Sequence, residues 1–220
     1  MKHLKGFKIF EAVIKAVDFG ESIEELKSIK DITLEDLDRI FNPLGVEFVD
    51  IDYFKSKLQT QKEIELVPVN MPHIRPGLRF AAHNIYTNKM YVCIEADKFL
   101  ETLNSPLRTE ILDLLDEILR HESIHKQQGE KRPGVIIRNL ENSPMKPKEY
   151  FGSTDEIMAY ADSFITQCRK RGLSNEEIKN ILVSGKKVSW IQDVYSRFTS
   201  PQSQKRFKKY VYQYLEDGNN

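Results

Sequence analysis

A stripe of apolar residues at helical spacing stands out in the middle of the chain. Ser105 and Pro106 precede it and predict a helix start, with serine as the N-cap and proline at the first helical position. The apolar side of this helix comprises Leu107, Ile111, Leu114, Leu115 and Ile118. The opposite side is predicted to face water and comprises Asp113, Asp116, Arg120, Ser123 and Gln127. Gly129 and Pro133 are predicted to end the helix.

Two helices and four strands are predicted before this central helix. The first helix covers residues 7–19 and is followed by Gly20. The second runs through Phe41, with Thr33 as its N-cap and Asp36 as the capping-box acid. The predicted strands cover 46–51, 64–69, 78–86 and 89–94. The last two strands are predicted to form a hairpin around Thr87 and Asn88.

The chain after residue 153 is predicted to be helical. The predicted helices cover 154–171, a stretch from a capping box at Ser174 and Glu177 to Gly185, then 188–198 and 202–215. These patterns together predict an α+β fold with a small mixed or antiparallel sheet and a helical C-terminal half. We expect an N-terminal helical and extended region over 1–77, a core over 78–172 and a C-terminal helical extension over 173–220.

Composition and charge narrow the class of protein. The 220 residues include 33 basic and 33 acidic ones, so the whole surface gives no indication of a nucleic-acid or acidic-membrane partner. The two cysteines, Cys93 and Cys168, are far apart, which argues against a disulfide framework and fits a reducing compartment. No apolar run approaches the ~20 residues of a membrane span, and no signal peptide is recognised. A cytoplasmic protein is the expectation.

The segment His121-Glu122-Ser123-Ile124-His125 reads H-E-x-x-H and lies on the predicted central helix. Residues four apart share one side of a helix, so the two imidazoles can bind one metal ion. Glu122 is on the same side and can reach a water molecule at that ion, which is the arrangement for metal-assisted hydrolysis. The alternative is that both histidines are ordinary core residues of an amphipathic helix.

A hydrolytic zinc site usually has three protein ligands and one open position. No histidine follows His125, and Gln128 and Lys131 stand where a three-histidine site of the metzincin type needs glycine and histidine. The remaining options are a downstream carboxylate or an upstream histidine. The candidates are Glu156, Asp155, Glu149 and His83. Glu156 can also form a capping box with Ser153 without any metal.

The H-E-x-x-H segment and the later stretch Asp155-Glu156-Ile157-Met158-Ala159-Tyr160-Ala161 together resemble gluzincin-type zincins over roughly residues 78–170. Many small bacterial and phage metallopeptidase-like domains look similar. The resemblance implies that His121, His125 and Glu156 bind Zn2+ and that Glu122 is the catalytic base. It also implies that the second strand of the hairpin could be the sheet edge beside which an extended peptide binds.

The function expected from this resemblance is a zinc-dependent metallopeptidase that hydrolyses peptide bonds. Tyr160 or Tyr150 is the candidate second donor to the oxyanion. Zinc suits a site with two nitrogens and one oxygen, and Mn, Fe or Co could occupy it as well. The expected partner is a peptide or protein substrate; no membrane partner is expected, and a nucleic acid is less favoured than a peptide.

Two other functions remain open. Lys126 and Gln127 stand where zincins usually carry an uncharged and then an apolar residue, which favours a catalytically inactive zincin-like binding or structural module. The stretch 204–214 interleaves basic and aromatic residues, which is also typical of a nucleic-acid-binding helix. The simpler interpretation of this stretch is a helix that packs through Phe207, Val211 and Tyr214 and leaves its lysines in water.

Overall fold

The structure is a computed structural model, and it describes residues 14, 16–53, 76–84, 88–131, 154–184 and 200–217. Most of these residues are helical. The helices of eight or more residues are α1 (Gly20–Ser28), α2 (Leu34–Phe41), α3 (Ala96–Leu103), α4 (Arg108–Lys131), α5 (Thr154–Lys170), α6 (Asn175–Ser184) and α7 (Pro201–Asp217), and two three-residue helical turns cover Asn42–Leu44 and Ile51–Tyr53. The strands are β1 (Val46–Asp50), β2 (Leu78–Asn84) and β3 (Lys89–Ile94). The predicted α+β class is therefore confirmed, whereas its zincin character stays a prediction.

The chain divides into two units. The sheet unit is Val17–Pro144, and the helical unit combines Met1–Ala16 with Met145–Asn220. All three strands and helices α1 to α4 belong to the sheet unit, while α5, α6 and α7 belong to the helical unit. The boundaries of these units differ from the domain boundaries predicted from the sequence, after residues 77 and 172, which stay a prediction.

The described strands form one mixed sheet in the order β1-β3-β2. β2 and β3 pair antiparallel, with Asn84 opposite Lys89, as the predicted hairpin requires. β1 pairs parallel with the other side of β3, with Val46 opposite Met90. The prediction that β3 lies at the sheet edge is therefore wrong, because β3 is hydrogen-bonded to a strand on each side.

The apolar core of the sheet unit lies where α1 to α4 meet the sheet. Its largest fully buried side chains are Phe19, Phe41, Phe99, Leu26, Leu37, Leu78, Met90 and Ile94. The predicted capping box is present at the N-terminus of α2, one of the helices that pack in this core. The Thr33 hydroxyl accepts a hydrogen bond from the Asp36 amide, and the Asp36 carboxylate accepts one from the Thr33 amide. This end of α2 is thus fixed by its own sequence.

Several helix limits differ from those predicted. Residues 16–19 are not helical, and Gly20, predicted to follow a helix, is the first residue of α1. α3 was not predicted at all. α4 begins at Arg108, two residues after Pro106, and it continues through Gly129 to Lys131. Most of the predicted helix 7–19, the strand 64–69 and the helix 188–198 lie outside the described residues.

The burial of α4 also corrects the predicted helix sides. Asp116 and Ser123, predicted to face water, are 8% and 0% exposed, whereas Leu107 of the predicted apolar side is 48% exposed. Asp116 and Ser123 are buried because α4 is covered on more than one side: it contacts α1 and α3 as well as β2 and β3. A helix packed on several sides buries polar positions that a one-sided pattern assigns to solvent.

Helix α5 of the helical unit ends as predicted beside Gly172. Gly172 has φ 75°, its amide donates to the Arg169 carbonyl, and the Leu173 amide donates to the Cys168 carbonyl. These two hydrogen bonds make the Schellman arrangement at a helix end. The capping box predicted at Ser174 and Glu177 starts α6.

Helix α7 packs against α5 in the helical unit. The rings of Phe164 and Phe207 meet edge to face at 5.5 Å between centroids. The Tyr214 hydroxyl donates a hydrogen bond of 2.8 Å to the carbonyl of Ile14. Among the described residues, every helix is too short or too polar to cross a lipid bilayer.

Candidate metal centre

The rings of His121 and His125 meet on one side of α4. Their Nε2 atoms are 3.2 Å apart, the ring centroids are 4.9 Å apart, and the ring planes make an angle of 75°. Two imidazole nitrogens bound to one tetrahedral Zn2+, each about 2.0–2.1 Å from the metal, are about 3.3 Å apart. These two nitrogens therefore already have the spacing that a shared metal ion would require.

The buried side chain of Gln128 supports the second histidine. The Nδ1 atom of His125 lies 2.9 Å from the Oε1 atom of Gln128, three residues further along the same helix. Gln128 is 0% exposed. Its amide oxygen can only accept, so Nδ1 of His125 carries the proton and donates it to that hydrogen bond. Sequence reasoning missed this role, although the spacing of three residues on a helix was available to indicate it.

Glu122 lies on the same side of α4 as the two histidines, because it is three residues before His125 on the helix. Its side chain is half-buried, as are those of His121 and His125. Partial exposure suits a general base, since the group has to remain accessible to water and substrate. The placement fits the predicted role of Glu122 and leaves that role to be tested by activity.

Glu156 lies in the first turn of α5 and is 4% exposed. Together with His121 and His125 it forms a group that could hold a metal ion, because each residue offers one ligand atom and these atoms lie within 4.8 Å of one another. Burial of a carboxylate is unfavourable unless charge or hydrogen bonding compensates for it, and a divalent cation provides such compensation. The donor set of two imidazoles and one carboxylate suits Zn2+ and other divalent transition metals.

The other candidate ligands do not belong to this group. His83 lies on β2, where its Nε2 atom is 3.1 Å from Oδ1 of Asn88, and Nδ2 of Asn88 donates to Glu130 at 2.8 Å. Among the described residues, the group that could hold a metal contains neither His83 nor Asp155. Glu149 lies outside the described residues, as does Ser153, the predicted capping partner of Glu156.

His83 is held in its neutral form by its surroundings. Burial lowers the pKa of His83 to about 4, against the hydrogen bond with Asn88, which raises it. The positive charge of Lys126 lowers the pKa further. His83 is therefore neutral at physiological pH.

Tyr160, the predicted donor to the oxyanion, lies on α5 one helical turn after Glu156 and is half-buried. Residues four apart share one side of a helix, so Tyr160 and Glu156 project to the same side of α5. Tyr150, the alternative donor, lies outside the described residues. The oxyanion role of Tyr160 stays a prediction.

Three comparisons with known proteins found no match. No family model matches the chain, no curated protein is similar to it, and no solved structure resembles it. The resemblance to gluzincin-type zincins thus depends on the motif residues themselves and remains a prediction.

Helix α7 carries the basic and aromatic residues considered for nucleic-acid binding. Lys205, Arg206 and Lys209 are exposed. Phe207, Tyr210, Val211 and Tyr214 of the same helix are buried, whereas Tyr212 is half-buried. Buried rings cannot stack on nucleotide bases, so most of the aromatic side chains of α7 are unsuited to single-strand binding.

Proposed function

We propose that this protein is a zinc-dependent metallopeptidase, in which His121, His125 and Glu156 hold the metal ion and Glu122 is the general base. The observation that carries the proposal is the group of three ligand atoms within 4.8 Å of one another. The 3.2 Å separation of the two Nε2 atoms supports it independently, because that separation lies within α4 alone. Metal-assisted hydrolysis needs ligand atoms close enough to share one metal ion and a nearby base for the metal-bound water, and Glu122 would be that base.

In the proposed hydrolysis, Glu122, Tyr160 and Gln128 each have a separate role. When bound, the metal lowers the pKa of a water molecule and polarises the substrate carbonyl. Glu122 accepts the proton of the attacking water and then donates it to the leaving amine, so the carboxylate returns to its starting state. Tyr160 donates a hydrogen bond to the developing oxyanion. Gln128 orients His125 through the hydrogen bond to Nδ1.

Metal content and cleavage, measured on the same protein preparations, test the proposal. Wild type, His125→Ala and His83→Ala are equilibrated with Zn2+ and freed of excess metal, and bound zinc is measured by mass spectrometry. We expect one zinc per chain in wild type and in His83→Ala, since His83 is not in the ligand group, and almost none in His125→Ala. Equal zinc in wild type and His125→Ala would refute the site.

Cleavage of a mixed peptide library then separates an enzyme from a binding module. The proposed enzyme cleaves peptides in its zinc form and stops when a chelator removes the metal. Zinc bound at one per chain without cleavage would support the alternative of a metal-binding module, for which Lys126 and Gln127 are the sequence features. Salt-sensitive binding of RNA or DNA that is lost on removal of residues 200–220 would instead favour nucleic-acid binding.

A further inference from the structure

We propose that Gln128 is a positioning residue that fixes the tautomer of His125, so that Nε2 of His125 carries no proton before any metal arrives. The consequence for metal affinity rests on the proposed function. The tautomer itself does not, because it is a property of the metal-free protein.

The direction of the hydrogen bonds follows from the atoms that face each other. Oε1 of Gln128 is a carbonyl oxygen and can only accept, so the neutral His125 ring has its proton on Nδ1. Nε2 of the same ring then has no proton. Nε2 of His121, 3.2 Å away, must be the donor of the hydrogen bond between the two rings in the metal-free protein. The three side chains thus form a chain of donors from His121 through His125 to Gln128.

The burial of Gln128 stabilises its hydrogen bond to His125. The side chain is 0% exposed, and its neighbours Ile124 and Gly129 are also buried. Loss of a hydrogen bond by a buried amide is destabilising by about 1–3 kcal/mol, so the hydrogen bond to His125 is maintained in the folded protein. In water, by contrast, a free imidazole exchanges between its two tautomers. Gln128 therefore selects the tautomer that metal binding needs.

Gln127 provides a matched control on the same helix. It has the same side chain, it lies one position earlier and therefore points about 100° away, and it is half-buried. Gln127→Leu changes the composition of the helix by the same amount as Gln128→Leu. A difference between the two variants therefore reports the hydrogen bond to His125.

The first measurement is the tautomer of His125 in the metal-free protein, read from long-range proton–nitrogen NMR of the imidazole at about pH 8. We expect protonated Nδ1 in wild type, in Gln127→Leu and in Gln128→Glu, which keeps an acceptor oxygen. In Gln128→Leu we expect a shift toward protonated Nε2. Protonated Nε2 in wild type would overturn the proposal without reference to any variant, and so would an unchanged tautomer in a folded Gln128→Leu.

The second measurement is zinc affinity by competition with a chelator of known strength. Loss of a hydrogen-bond partner of a metal-bound histidine typically weakens metal binding about 10- to 100-fold. We expect a loss of that size in Gln128→Leu, recovery in Gln128→Glu and no change in Gln127→Leu. Equal affinity in all four proteins would overturn the positioning role. A wild type that shows the expected tautomer and binds no zinc would refute the proposed function and leave the assignment of the tautomer intact.

Discussion

The backbone amide of Val17 donates a hydrogen bond of 2.9 Å to the hydroxyl of Ser123, in the middle of the H-E-x-x-H segment. The same hydroxyl donates to the carbonyl of Arg120 at 2.7 Å. Ser123 is 0% exposed, and both bonds are partly buried. The stretch of chain that leads into α1 is therefore attached to the turn of α4 that carries the candidate metal ligands.

Replacement of this serine tests the attachment. Ser123→Ala removes the acceptor of the Val17 amide, and loss of this partly buried hydrogen bond lowers the free energy of unfolding by about 0.5–1.5 kcal/mol. Urea unfolding measures the difference. Ser28→Ala is the control, since Ser28 is exposed and is expected to change stability by less than about 0.5 kcal/mol. Equal midpoints for both variants would contradict the structural role of Ser123.

Ser123 also shows where prediction from sequence fails. Its polar side chain was assigned to solvent because it lies opposite the apolar stripe, whereas the segment around Val17 covers it. Local rules did better: the capping boxes at Thr33 and at Ser174 depend only on residues close in sequence, and both were predicted. Contacts between distant segments have no local signature, so α3 and the central place of β3 were missed.

The same distinction applies to the candidate metal centre. The spacing of His121 and His125 on one helix was sufficient to predict that their rings meet. Glu156 is more than thirty residues away and was chosen from a family resemblance, because no periodicity relates it to α4. From the sequence, Gln128 indicates only that a three-histidine site of the metzincin type is absent, whereas its contact with His125 is seen in the structure.

Glu122→Gln separates catalysis from metal binding. The amide has the size of the carboxylate but cannot accept the proton of water, so we expect peptide cleavage to fall about 10²–10⁴-fold while zinc content stays that of wild type. Initial rates on a fluorogenic peptide and metal analysis provide the two readouts. Glu110→Gln, an exposed position near the start of α4, should leave both unchanged. Wild-type rates in Glu122→Gln would exclude this residue as the base.

Glu156→Ala tests the third ligand. We expect zinc affinity to fall by at least about 100-fold, since loss of a ligand is more damaging than loss of a ligand's hydrogen-bond partner. Asp155→Ala is the matched control, because Asp155 is the neighbouring acid and is not part of the ligand group. Chelator competition measures both affinities. If the two variants exchanged these results, Asp155 would replace Glu156 as the ligand.

The pKa of His83 predicts a dependence of stability on pH in the metal-free protein. The pKa is about 4 in the folded chain and has an ordinary value of 6.5, so between these pH values the unfolded chain binds more protons. The free energy of unfolding therefore rises with pH in this window, and the contribution of neutral His83 is lost as pH falls from about 6.5 to about 4.

Urea unfolding at pH 7.5 and pH 4.5, with a chelator present, measures this effect. His83→Gln keeps a donor for Asn88 but cannot titrate, so its stability should fall less between the two pH values than that of wild type. An equal fall in both proteins would show that the titration of His83 does not contribute.

The mixed sheet has a consequence for how the chain folds. β2 and β3 are adjacent in sequence and can pair as a local hairpin, whereas β1 joins β3 only after roughly forty intervening residues have been brought back. Closing the longer loop loses more chain entropy, so the hairpin is expected to form first and β1 to dock last. In pulse-labelling hydrogen exchange, the amides of the β2–β3 pair should gain protection before those of β1.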